Sequence, residues 1–207
     1  MAKKIALALF VAAMSLTANA QNFRFGVKGG LNISKESQNE FVQQYISSDL
    51  SFRTGLHVGG VVNYSLTDKW ELEADLLYSM QGYKDKIYTT VLEQNMNDVN
   101  YTVTSHYINL PVAVKFYPID GFYVECGPQV GYLLSKKDKL EDRESSYDPY
   151  SSENTKKLDF GIFGGLGYRF TNNVFIEGRY IHGLTGTMKT VGGCKNRNIQ
   201  FSLGYLF

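Results

Sequence analysis

Asn198 to Phe207 read N-I-Q-F-S-L-G-Y-L-F. Ile199, Phe201, Leu203, Tyr205 and Phe207 share one parity; Asn198, Gln200, Ser202 and Gly204 share the other. Successive side chains of a strand point to opposite faces, so this stretch is a strand with one apolar and one polar side. In a soluble ligand cup the apolar side looks inward; in a transmembrane barrel it looks outward to lipid. Alternation alone does not choose between them. The charges elsewhere in the chain do.

The same period of two recurs eight times. The segments run over about 23–34, 52–66, 70–81, a stretch ending at 116, 122–134, 158–170, 174–184 and the terminal strand. In the third, Trp70, Leu72, Ala74, Leu76, Tyr78 and Met80 oppose Glu71, Glu73, Asp75 and Ser79. In the fourth, Ile108, Leu110, Val112, Val114 and Phe116 alternate with Asn109, Ala113 and Lys115. Pro111 lies inside that run and predicts a bulge, because proline gives no N–H to a ladder. Three connections are short: Thr67–Lys69, Pro118–Gly121 and Thr171–Asn173. Four are long and polar: 35–51, 82–105, 135–157 and 185–197. Short and long alternate without exception, which predicts an all-β, eight-stranded, antiparallel up-and-down transmembrane barrel with both chain ends on the short-turn side.

The polar parity carries Arg24, Lys28, Lys115, Arg169 and Arg179 together with Glu71, Glu73, Asp75, Glu125, Asp159 and Glu177. A ligand cup does not expose so many ionisable groups on a face that is also rich in glycine. Inside a barrel of eight strands, which side chains just fill, they form a network that closes the lumen. Glu71 with Lys115, and Arg169 with Glu177, are neighbours along the chain's hairpins and are the expected pairs. Unpaired charge in such a place costs several kcal/mol. Aromatic residues fall at strand ends, as they do at lipid–water boundaries. Phe23, Trp70, Phe116, Phe122, Phe170 and Phe207 mark one boundary; Tyr78, Tyr132 and Tyr180 mark the other. Ten residues from Phe122 to Tyr132 rise roughly 25 Å at the usual tilt, the height of a barrel's apolar band.

Residues 1–20 read as a signal peptide, with Lys3 and Lys4, an apolar run from Ile5 to Met14, and the small-x-small site Ala18-Asn19-Ala20. Cleavage after Ala20 leaves 21–207 as one barrel domain. The net charge of +1 becomes −1 once Lys3 and Lys4 are gone, which gives no support to nucleic-acid binding. The apolar run is too short to span a bilayer as a helix. Cys126 and Cys194 sit at opposite ends of the barrel, so a disulfide is not expected. No Cys/His spacing indicates a metal site.

Five motifs stand in order along the strands: Y-S-M-Q-G-Y-K (78–84), Y-I-N-L-P-V-A-V-K-F-Y (107–117), G-P-Q-V-G-Y-L-L-S (127–135), D-F-G-I-F-G-G-L-G-Y-R-F (159–170) and R-Y-I-H-G-L-T (179–185). Together they resemble the "porin family" outer-membrane β-barrel domain common in Bacteroidetes. The resemblance implies a small barrel of the Gram-negative outer membrane. It rarely implies a known activity, and no cofactor is expected.

The function expected from this reading is a structural or surface-interaction role for a monomer in outer-membrane lipid. The terminal strand addresses it to the barrel-assembly machinery, and the polar loops, 142–154 above all, are available to a surface ligand. A narrow channel for ions or small solutes is the first alternative. A lipid A-modifying enzyme is the second. For the enzyme His57 reads as luminal, Ser105 and His106 face opposite ways, and His182 is the best candidate, with no partner identifiable.

Overall fold

The computed structural model describes residues 22–37, 51–87, 99–140, 156–186 and 195–207. Eight strands form in order: β1 (Phe23–Ser37), β2 (Ser51–Ser65), β3 (Trp70–Ile87), β4 (Val99–Phe116), β5 (Phe122–Leu140), β6 (Leu158–Arg169), β7 (Val174–Gly186) and β8 (Lys195–Leu206). Each pairs antiparallel with the next, and β8 closes on β1. Residues 1–20 and Cys194 lie outside the described residues, as do 142–154.

Register fixes the shape. The circuit Phe23, Tyr64, Leu72, Val114, Cys126, Gly164, Tyr180, Ile199 returns to β1 at Ile33, ten residues from its start. Such a stagger over eight strands tilts them by about 40° and leaves an interior that side chains fill.

The strands outrun their apolar alternation. β3 continues to Ile87 and β4 begins at Val99, where Lys84↔Thr102 and Asp85↔Tyr101 still pair. Both partners there are polar, so no pattern in the sequence marks the extension. The bulge expected at Pro111 is not formed. Pro111 stays in register opposite Gln129, and the shift lies at His106/Tyr107, against Ser135 and Leu133. On the other side the β3–β4 register is the same before and after the proline, with pairing interrupted between Ala74↔Val112 and Leu77↔Asn109. The missing N–H breaks the ladder without adding a residue.

The short turns carry their own chemistry. Thr67 Oγ1 accepts from the N–H groups of Lys69 and Trp70 at 3.3 and 3.1 Å. Gly121 and Asn173 take left-handed backbone angles (φ 80° and 63°), which glycine and asparagine tolerate best.

Polarity is inverted relative to a soluble protein. Leu56, Leu76, Phe160, Ile162, Leu166 and Leu203 are exposed on the exterior, while Lys28, Glu73, Asp75, Lys115 and Arg179 are buried within. The lumen is not wholly polar. Val61, Phe175 and Leu206 form an apolar patch inside, as do Ala113, Phe163 and Ile181. Leu206 thus ends the inward face of the terminal strand on a fully buried apolar side chain.

Candidate functional site

Lys28, Glu73, Asp75, Lys115, Glu125, Glu177 and Arg179 come from β1, β3, β4, β5 and β7 and meet at one level of the lumen. Strand parity points each inward, and the narrow bore lets them touch across it. Arg179 is the hub. Its Nε donates to Glu125 Oε1 at 2.6 Å, its Nη1 to Asp75 Oδ2 at 2.7 Å, and its Nη2 to Glu73 Oε1 at 2.6 Å. Lys28 Nζ lies 2.6 Å from both Asp75 Oδ2 and Glu177 Oε1. Lys115 Nζ donates to Glu73 Oε2 and stands 4.3 Å over the Tyr123 ring, whose hydroxyl donates to Glu177 Oε2 at 3.1 Å. Three cations thus hold four carboxylates, all almost fully buried.

A second cluster forms the floor at the short-turn end. Glu71 on β3 receives Arg24 from β1 and both terminal nitrogens of Arg169 from β6, at 2.9 and 2.6 Å. Tyr117, just past β4, donates to Glu71 Oε2 at 2.9 Å. Burial pushes the Tyr117 phenol above its ordinary pKa, and the Glu71 carboxylate adds to that against the lowering effect of Arg169. These groups line a mouth pocket of about 300 Å³ with Asp68, Asp120 and Thr171. The floor carries two cations and one anion, so the two clusters together hold five charges of each sign.

The hairpin pairs expected from the sequence do not form. Glu71 and Lys115 are register partners, yet Glu71 turns to the two arginines and Lys115 to Glu73. Arg169 binds Glu71 rather than Glu177, which goes to Lys28. Asp159 stands apart, accepting from Thr185 Oγ1 at 2.7 Å and Asn196 Nδ2 at 2.8 Å.

Sequence reading missed a polar layer further along the bore. His57 Nδ1 lies 2.9 Å from Asn32 Oδ1, an atom that only accepts, so Nδ1 bears the proton. Nε2 is then free to accept from Ser202 Oγ, also at 2.9 Å. Parity places all three inward, but their meeting depends on β1, β2 and β8 being adjacent. The Ser–His–Asn order has the form of a nucleophile, base and orienter. Each member is buried.

The remaining histidines face outward. His106 Nδ1 is 2.6 Å from the Tyr78 hydroxyl, and His182 lies beside Tyr180 with ring centres 6.5 Å apart. Carboxylate oxygens of Glu73, Glu125 and Glu177 lie within 4.8 Å of one another. Lys115 and Arg179 already hold them, so a divalent ion there would have to displace a bonded cation. Cys126 is a free thiol on the exterior.

Exterior aromatic pairs gather at the short-turn end: Phe23 with Tyr64, Trp70 with Phe116, Tyr168 with Phe170 and Tyr205 with Phe207, at 4.6 to 5.6 Å. Phe122 is on the same circuit, as the register partner of Tyr168. Tyr78, Tyr132 and Tyr180 are exposed nearer the other end.

A family model described as "Outer membrane protein beta-barrel domain" matches residues 19–189. No curated protein matches the chain. Among solved structures, the Neisserial surface protein A (NspA) is 15% identical, with 88% of this chain and 97% of that one covered and a TM-score of 0.54. Ail of Yersinia pestis, solved in complex with the heparin analogue sucrose octasulfate, is 12% identical, with 90% and 99% covered and a TM-score of 0.46. OprG from Pseudomonas aeruginosa is 14% identical, with 90% and 96% covered and a TM-score of 0.42. The likeness to NspA is one of fold, the small closed barrel.

Proposed function

Because the chain belongs to the outer membrane protein beta-barrel domain family and resides in the outer membrane, we propose that it is a non-catalytic barrel whose lumen is closed by its own charges, acting structurally or through surface contacts. The observation that carries this reading is Arg179, which ties Glu73, Asp75 and Glu125 into one bonded layer across the bore. A filled layer of this kind obstructs the bore at its level, and breaking it costs several kcal/mol per uncompensated charge.

The finer parts of the proposal rest on the same frame. Residues 1–20 are its export signal, cleaved after Ala20, and its strand motifs group it with the Bacteroidetes porin-family barrels. The terminal strand engages the barrel-assembly machinery, the barrel works as a monomer, and any surface ligand is met by the long connections. The non-catalytic part of the proposal rests on the family match and on the burial of His57.

A narrow conducting path is the second reading. It is favoured by Asn63 Oδ1, Asp75 Oδ1, Asn109 Nδ2 and Asn198 Oδ1, buried luminal atoms that have no protein partner among the described residues. Planar-bilayer recording of the purified, refolded protein tests both. The closed barrel is expected to show no steady conductance; steady unitary steps would overturn it in favour of the channel.

A further inference from the structure

On the exterior, at the end carrying the long connections, His182 of β7 is the register partner of Arg197 of β8, and Arg197 is the register partner of Lys35 of β1. Two full cations and an imidazole thus stand side by side on three adjacent strands. Like charges placed directly opposite across a ladder repel each other. No carboxylate pairs with any of the three among the described residues. Lys35 instead lies 5.4 Å from the Phe52 ring centre, a weak cation–π contact that leaves its charge uncompensated. Among the described residues the row lacks an anion.

What lies beneath the row is apolar. The next exterior register row on the same strands is Tyr180, Ile199 and Ile33, followed by Gly178, Phe201 and Leu31, then Ile176, Leu203 and Gly29. The two glycines leave the wall recessed, and a groove of about 520 Å³ runs along it. Its lining centres on Gly30, Glu177 and Ser202, five residues, or roughly 17 Å along the strands, from the cations at the usual rise, and reaches on to Tyr168 and Phe122. A ligand that fits both features carries its anion at one end and a hydrocarbon chain at the other.

We propose that Lys35, Arg197 and His182, with the groove at Gly178 and Gly29, form a site for a phosphate-bearing lipid of the outer leaflet. The phosphate bridges the cation row, receiving charge-assisted hydrogen bonds from the guanidinium and ammonium and an N–H from the imidazole. One acyl chain lies in the groove. The site belongs to the barrel's outer wall and stands whether or not the lumen conducts.

The test is native mass spectrometry of the refolded full chain in neutral detergent. The probes are bis-phosphorylated lipid A, the same lipid with its phosphates removed, and inorganic phosphate as competitor. The phosphorylated lipid is expected to be retained roughly tenfold better than the dephosphorylated one, as the loss of charge-assisted bonds implies. The double variant Lys35→Gln with Arg197→Gln is expected to lose a similar factor. Neither side chain makes an ion pair among the described residues, so folding, read by heat-modifiable migration, is expected to be unchanged. Gly178→Leu fills the groove and weakens retention with the cations intact, and millimolar inorganic phosphate does not displace the lipid. Equal retention of the two lipids, or no loss in the double variant, would overturn the site. Displacement by inorganic phosphate, or indifference to Gly178→Leu, would overturn its assignment to a lipid and leave a plain anion site.

Discussion

Arg169 and Glu71, 98 residues apart and on strands that do not touch, face each other across the floor of the barrel with two parallel hydrogen bonds of 2.9 and 2.6 Å. A planar guanidinium matches a carboxylate in this forked geometry, and a lysine does not. Glu71→Gln strands both Arg169 and Arg24. It is expected to lower stability by about 3 kcal/mol, in the range for breaking a largely buried pair, read from the urea midpoint of refolded protein in detergent. Arg169→Lys is expected to recover only part of the wild-type midpoint.

Arg179 should be the most costly single charge to remove. Without it Lys28 and Lys115 are left to hold Glu73, Asp75, Glu125 and Glu177. Arg179→Met is expected to cost about 3–5 kcal/mol. Adding Glu125→Met to that variant removes one stranded anion and should restore part of the loss. A double variant no more stable than Arg179→Met alone would show that the two side chains are not coupled.

Two glycines separate interior packing from exterior freedom. A methyl group at Gly204 would overlap the buried ring of Phe175, which is held against Val61 and Leu206. Gly204→Ala is expected to cost about 1–3 kcal/mol, the usual price of overpacking, and Phe175→Leu in the same chain should relieve it. At Gly178 the added carbon meets only the Phe201 ring at 3.7 Å, an ordinary contact. Gly178→Ala should therefore leave the urea midpoint where it was.

Tyr117 predicts an alkaline limit. Its pKa is raised in the folded barrel, so the fold keeps a proton that the unfolded chain releases near pH 10. The stability contributed by Tyr117 is complete below that pH and is lost as pH rises past it. The urea midpoint of the wild type is expected to fall between pH 9.5 and about 11, and that of Tyr117→Phe to fall less. Parallel curves would reject the role of this phenol.

Cys126 reports which face meets lipid. In a Cys194→Ser chain reconstituted into vesicles, a membrane-permeant apolar maleimide should label Cys126 and a charged one should not. Denaturation should make both react. Prompt labelling by the charged reagent in the folded state would place this wall in water.

The terminal strand already shows why the architecture can be read from the chain. Alternation is a local property of extended backbone, so Ile199, Phe201 and Leu203 sort from Gln200 and Ser202 without reference to any other strand. Counting such segments, and noting that Thr67–Lys69 is short where 82–105 is long, suffices for an up-and-down barrel. The strand extensions beyond Gln81 and Leu134 escaped because Lys84, Lys86, Lys136 and Asp138 take the parity that is apolar lower down, while Tyr83 turns inward. The proline at 111 misled because a lost N–H can be absorbed as a gap in the ladder.

By itself, then, the sequence determined the number of strands, their direction and which side chains enter the bore. The tertiary structure decided who meets whom there. The ten-residue stagger sets the height of each strand against the others, and the narrow closed bore lets an arginine on β6 reach a glutamate on β3. Partners chosen across a lumen depend on closure, which no local period encodes, and so Glu71 binds Arg169 and not the lysine beside it.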